Sequence, residues 1–262
     1  MKLAVLFWFY KEPEICKNRL QILKKYNPDL KIYGLYGGEK KEAEKYEELL
    51  GKYLDDFYVS PYEDSDWKWI NGDLMILEWF ENRGERLEWD SIAVAQWDML
   101  VLDSIEKQFE GIKEGQIYLS GTKILDKETE NSWTWTKPGS EERENYLKFL
   151  EYIKENYGYM GEIFCCLFIF QILPRVFFEK YLTVKNKEVG MLEYKVPMYA
   201  KIFEILFYEK DLGVFWSDRG KKIDELPLNA WPVEIKKEFI ESENEKKNGY
   251  RLFHPYFKKW NL

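Results

Sequence analysis

The sequence predicts an α/β fold built on a mostly parallel central sheet with helices on both faces. Two observations carry this expectation. Short apolar runs of strand character alternate with stretches of helical spacing as far as Leu119, and strands that alternate with helices join as parallel neighbours. The 262 residues, 45% hydrophobic and 33% charged, suffice for one sizeable soluble domain and do not require a second.

Residues 2–8 form a first buried strand that runs straight into Lys11-Glu12-Pro13-Glu14. With no small-residue cleavage site, the segment does not read as a signal peptide. Pro13 opens a helix, where its missing N–H costs nothing, and Ile15, Leu20, Ile22 and Leu23 recur at helical spacing. Asn27-Pro28-Asp29 stops that helix. Residues 30–36 are a second strand closed by Gly37-Gly38, and residues 39–50 a charged helix with Ala43, Tyr46, Leu49 and Leu50 inward. A third strand covers residues 56–59. Residues 74–80 predict a buried helix that starts at Asp73 and breaks near Gly84. A fourth strand at 91–95, a helix near 102–109 and a strand at 116–119 complete the repeated units.

Beyond these, residues 121–139 are polar and turn-rich around Trp133-Thr134-Trp135. A helix is predicted over 141–157, then a strand or two short strands over 163–173. Pro174 starts a helix through Tyr181, 194–207 is helical, and 213–216 reads as a late strand. A charged helix from Ile235 precedes Tyr250-Arg251-Leu252-Phe253 and the single histidine, His254.

Ligands of parallel sheets gather beyond the carboxyl ends of the strands, and Tyr10, Gly37 and Asp98 all fall at such ends. Asp98 follows the apolar run Ile92-Ala93-Val94-Ala95. An acid there offers oxygen to a hard cation or caps the next helix. His254 is a turn residue before proline, or an imidazole ligand of a kind that suits Mn²⁺. Gly37 either lets backbone approach a ligand or makes an ordinary turn. If residues 133–135 form a strand, Trp133 and Trp135 face one way. They then make a stacking platform for a sugar ring or plug one side of the core. Arg175 binds phosphate or caps its helix.

In order along the chain come the first strand, Tyr33-Gly34-Leu35-Tyr36-Gly37-Gly38, Trp67-Lys68-Trp69-Ile70-Asn71-Gly72-Asp73, Gln96-Trp97-Asp98, Glu193 ahead of Pro197, and His254-Pro255. This order resembles a nucleotide-sugar glycosyltransferase of the GT-A type over roughly residues 2–258. The resemblance implies a single Rossmann-like domain, with residues 1–120 as the nucleotide-binding half. Residues 121–262 would be the acceptor-binding half, ending in a metal-ligand tail. Asp98 and His254 would hold Mn²⁺ or Mg²⁺ against the diphosphate of a UDP- or GDP-type sugar donor. Phe9, Tyr10, Lys11, Gly37, Asp73, Gln96 and Trp97 would surround the nucleotide. If the reaction inverts, Glu193 would be the catalytic base, with Asp218 and Glu162 as weaker candidates; a retaining geometry would need no such base. Trp133 and Trp135 would meet a carbohydrate or lipid-linked acceptor. The sequence departs from the family's D-x-D turn at Gln96, which leaves one carboxylate there.

A net charge of −8 argues against a nucleic-acid partner, which needs clustered Lys and Arg. Cys16, Cys165 and Cys166 give neither a disulfide framework nor zinc spacing, the usage of a reducing, cytoplasmic compartment. The apolar run 163–173 contains Gln171 and is too short to span a bilayer, leaving peripheral membrane contact open. Two alternatives share the architecture. A sugar-phosphate nucleotidyltransferase wants a glycine-rich loop after the first strand, and Phe9-Tyr10-Lys11-Glu12-Pro13 has no glycine. A non-catalytic carbohydrate- or nucleotide-binding protein is favoured by Gln96.

Overall fold

The computed structural model describes residues 1–216 and 222–261; Asp218 lies outside them. From the amino terminus, β1 (Leu3–Phe9) runs into α1 (Pro13–Tyr26), then β2 (Lys31–Tyr36), α2 (Ala43–Leu50), β3 (Asp56–Val59), α3 (Ser65–Asn82) and β4 (Ser91–Gln96). After the turn at Asp98 come β5 (Leu100–Val101), α4 (Ile105–Gln108), β6 (Tyr118–Leu119), β7 (Lys123–Ile124), α5 (Lys127–Ser132) and α6 (Arg143–Tyr157). β8 (Phe164–Cys165), β9 (Phe170–Pro174), α7 (Arg175–Leu182), α8 (Leu192–Ile202), α9 (Lys237–Glu245) and β10 (Leu252–Phe253) complete the order. No helix among the described residues is long and apolar enough to cross a membrane.

Six strands form the central sheet in the order β3-β2-β1-β4-β9-β6. β1 pairs in parallel with β2 and β4, and β2 with β3, while β9 runs antiparallel between β4 and β6. The order reverses at β1, with β2 on one side and β4 on the other. Connections leave in opposite directions at such a point and open a crevice beyond the carboxyl ends of the two strands. Side chains alternate across the pleat. Phe9 packs on Tyr36 and on Tyr46 of α2, whereas Trp8 lies against α3, where a Cβ on Gly72 would come within 2.5 Å of its ring. Helices thus cover both faces, and glycine lets α3 come that close.

The tail returns to this crevice. β10 pairs antiparallel with β5, setting Phe253 opposite Leu100 and Leu252 opposite Val101. Leu100, Leu102, Phe253 and Tyr256 form a second apolar cluster with Ile22 of α1, Ile235 and Ile240. Buried Arg19 of α1 donates to the carbonyls of Tyr256 (2.6 Å) and Lys258 (2.8 Å). Asn18 beside it bonds both the carbonyl and the N–H of Trp260.

Four sequence expectations change. Residues 67–73 are already helical, since α3 starts at Ser65 behind the cap of Asp64, whose carboxylate accepts from the Trp67 N–H at 2.7 Å. Asp73 is therefore not a helix start; it follows a kink at Asn71 (φ −122°, ψ 30°). The helix expected to reach residue 207 stops at Ile202, and Glu204 turns to φ 59°. Among the described residues the late strand at 213–216 is reduced to one bridge, Val214 with Leu228. Residues 133–136 form a turn after α5, so Trp133 and Trp135 share no strand face.

Beside the kink, Asp73 pairs with Lys195 of α8 at 3.1 Å, their side chains 3% and 0% exposed. Lys195 also donates to Asn71 Oδ1 (3.3 Å) and the Lys187 carbonyl (3.0 Å), and the Tyr181 hydroxyl donates to Asp73. This network ties α3 to α7 and α8. Removing one partner strands the other charge in the interior. Lys195→Met is thus expected to lose roughly 3–5 kcal/mol of unfolding free energy, read from urea curves, and the pair Lys195→Met/Asp73→Leu to regain most of it. A single variant as stable as the wild type would mean the pair is not a buried one.

Candidate functional site

A cavity of about 710 Å³ opens at the crevice between β1 and β4. Eight residues picked out in the sequence line it: Tyr10, Lys11, Gln96, Asp98, Trp133, Trp135, Glu193 and His254. Four others do not. Phe9 points to the opposite face of β1, fully buried among Phe7, Tyr36, Tyr46 and Phe57. Asp73 is consumed by Lys195 and Tyr181. Trp97 is buried and stacked on Phe257. Gly37 sits behind the wall, its carbonyl accepting from Lys68.

Asp98 and His254 meet because of the ladder that joins their strands. With Phe253 opposite Leu100, the next residue of the tail is carried to the turn that holds Asp98. The Tyr256 N–H donates to the Asp98 carbonyl at 2.9 Å, and the His254 N–H to Pro227 at 2.9 Å. His254 Nε2 stands 3.3 Å from Asp98 Oδ1. Its Nδ1 lies 2.8 Å from the Asn229 carbonyl, a contact that requires a proton on Nδ1. The neutral imidazole therefore turns the lone pair of Nε2 toward a carboxylate oxygen, and two acceptors face each other. A positive species between them, a proton or a metal ion, resolves the conflict. Burial disfavours the imidazolium, but the charge and hydrogen bond of Asp98 outweigh it and raise the His254 pKa. Burial likewise raises Asp98, and the opposing pull of His254 wins and lowers it.

Among the described residues no three His, Cys, Asp or Glu side chains gather as a metal site. Asp98 and His254 alone form a two-donor set. Their 3.3 Å separation is near the spacing of adjacent ligands on one ion, about 3 Å for bonds of ~2.1 Å at right angles. Asp98 Oδ1 also has no well-aligned hydrogen-bond donor among the described residues. The pair thus fits a divalent cation that completes its shell from ligand oxygens and water. Gln96 does not join them; its amide donates to the Phe168 carbonyl at 3.0 Å.

Glu193, in the first turn of α8, closes another side of the cavity. Its Oε1 accepts from the Phe168 N–H at 2.8 Å. Burial pushes its carboxyl up to about 7, against the hydrogen bonds of Phe168 and of the Trp135 indole. Glu162, the weaker acid candidate, is exposed and does not line the cavity.

Among the lining residues that the sequence reading did not single out are Lys68 and Trp69. Lys68 is buried, with burial lowering its pKa. Trp69 follows it, 67% exposed. Both lie in the segment 67–73, whose helical start was hidden because Asn71 breaks its periodicity. With Lys11, whose ammonium lies 4.9 Å from the Trp97 ring centre, Lys68 puts two lysines on the lining, the Lys68 ammonium being turned to the Gly37 carbonyl.

No family model matches the sequence, and no curated relative matches it. The fold is similar to solved structures of GT-A glycosyltransferases and a cytidylyltransferase. The bifunctional glycosyltransferase WbbM, in its apo form, is 9% identical with a TM-score of 0.47, over 98% of this chain and 46% of that one. Core-mannan synthase A from Aspergillus fumigatus, in a Mn/GDP form, is 10% identical with a TM-score of 0.42, over 68% of this chain and 61% of that one. A cytidylyltransferase from Leptospira borgpetersenii serovar Hardjo-bovis is 11% identical with a TM-score of 0.42, over 80% and 76%. This chain spans less than half of WbbM.

The raised carboxyl has a measurable consequence. Its ordinary pKa is 4.5 and its folded value about 7, so its contribution to stability is complete below pH 4.5 and fades as pH rises through 7. Relative to Glu193→Gln, the wild type is expected to lose up to ~3 kcal/mol between pH 4.5 and 7 and nothing further above. Urea unfolding across that range tests this. A constant difference between the two proteins would show the carboxyl titrating normally.

Proposed function

We propose that the protein is a glycosyltransferase that moves a sugar from a nucleotide-diphosphate donor to an acceptor hydroxyl with the aid of a divalent cation. The observation that carries this reading is the Asp98–His254 pair at 3.3 Å, two donors at the spacing of adjacent ligands on one ion, at the strand ends where a nucleotide binds in an open α/β sheet. Mn²⁺ or Mg²⁺ held by Asp98 and His254 would act as a Lewis acid toward the diphosphate leaving group. Residues 1–120 would supply the nucleotide side, and 121–262 the acceptor side and the ligand tail.

The chain's own residues have distinct parts in this reading. Tyr10, 37% exposed at the rim, offers a ring and hydroxyl to a UDP- or GDP-type nucleotide. Lys11 and Lys68 add fixed positive charge where the leaving diphosphate gains negative charge. Glu193 is the acid–base group. A carboxyl near 7 is populated in both protonation states at neutral pH, which suits a group that takes a proton from an acceptor hydroxyl. The Phe168 N–H orients it through a hydrogen bond of 2.8 Å. A non-catalytic nucleotide- or carbohydrate-binding protein is the second reading. It is favoured by Gln96, which leaves the turn with one carboxylate.

Hydrolysis of UDP- and GDP-sugars in the presence of Mn²⁺ separates the two. Asp98→Ala is expected to lose at least about a hundredfold in turnover, the scale of removing a main electrostatic stabiliser. Unchanged turnover in a folded variant would exclude Asp98 from the mechanism. A thermal shift with UDP or GDP that requires Mn²⁺ supports the transferase, whereas a shift with free sugar alone supports the binding protein.

A further inference from the structure

We propose that the acceptor of this transferase is a saccharide, and that Trp69 is the surface on which its ring stacks; the proposal rests on the transferase reading. Trp69 lines the cavity yet leaves 67% of its surface in solvent. A large exposed indole is out of place on a chain that buries Trp8, Trp79, Trp89, Trp97, Trp135 and Trp216.

Its position is built, not accidental. Asp64 caps α3 and the kink at Asn71 ends its first segment. Lys68 turns inward to the Gly37 carbonyl, and the next residue is rotated by about 100° to the open side. There Trp69 meets Trp135 edge to face, centroids 4.9 Å apart at 67°. Trp135 and Glu193 line the same cavity. One contact therefore joins the exposed indole to a neighbour in the wall that also holds the acid–base group.

The surroundings select the ring type. Ser65, Asp66 and Thr134 line the same cavity and offer hydroxyl and carboxylate partners. A pyranose has a C–H face to lay on an indole and hydroxyls at its edge to bond such groups. A lipid chain wants a continuous apolar wall, and Asp66, Lys68 and Lys11 interrupt this one. The tryptophans expected from the sequence are committed elsewhere. Trp133 sits edge-on to Trp216 at 5.7 Å and to Tyr194 at 6.4 Å, and Trp135 is 6% exposed.

Saturation-transfer NMR with methyl pyranosides of glucose, galactose, mannose and N-acetylglucosamine tests this. The wild type is expected to saturate ring C–H protons of at least one of them. Trp69→Ala should weaken that signal at least about threefold and Trp69→Phe should retain most of it, the range for one aromatic contact. The Mn²⁺-dependent thermal shift with UDP or GDP should be the same in all three proteins. No saturated pyranoside with the wild type, or equal saturation with Trp69→Ala, overturns the proposal. Saturation that depends on Trp69, in a protein that no nucleotide diphosphate stabilises, leaves the saccharide site standing and removes the transferase reading.

Discussion

The two-strand ladder between β5 and β10 decides where His254 meets Asp98. It is short, Leu252 and Phe253 against Val101 and Leu100, and two residue pairs alone would not hold a tail in place. The surroundings make it firm. Arg19 bonds two tail carbonyls, Asn18 bonds Trp260 twice, and Phe253 and Tyr256 are buried beside Ile22 and Ile240. A register slip of one residue would turn Phe253 out of its cluster and move the imidazole away from Asp98. Apolar burial thus fixes where the imidazole and the carboxylate meet, and their mutual attraction, which raises the His254 pKa and lowers that of Asp98, adds to it.

That dependence explains what the sequence could and could not reveal. β1, β2, β3 and β4 were legible because each is a compact apolar run closed by turn residues, and the residues at their ends were legible for the same reason. Tyr10, Lys11, Gln96 and Asp98 line the cavity as strand ends should. The pairing of Asp98 with His254 was legible only through the order of motifs, because no local pattern signals that a tail folds back. Phe9 was misplaced because adjacent residues of a strand face opposite sides, so a run of three neighbours cannot all reach one ligand.

The helical side of the site was harder to read. Asp73 looks like a helix start in Asn71-Gly72-Asp73, and its real partner, Lys195, lies far along the chain. The kink at Asn71 conceals the first segment of α3, the one that carries Lys68 and Trp69. Trp133 and Trp135 alternate as strand residues do, but a turn after α5 splits their directions. Local spacing constrains which face a side chain takes only where the local structure is regular.

Gln96 is better understood as a tie than as a missing ligand. Its amide nitrogen donates to the Phe168 carbonyl, and the Phe168 N–H donates to Glu193. The Cys166 N–H bonds the Glu193 carbonyl, and the Ser120 hydroxyl bonds the Leu167 carbonyl. The segment between β8 and β9 is thereby pinned from β4, α8 and the end of β6. An ionised aspartate at position 96 has no donor for the Phe168 carbonyl and would set like partial charges against each other. A glutamine there keeps the strand end that carries Asp98 in fixed relation to the loop that holds Glu193. The cost is one carboxylate in the turn, so that Asp98 is the single acid there.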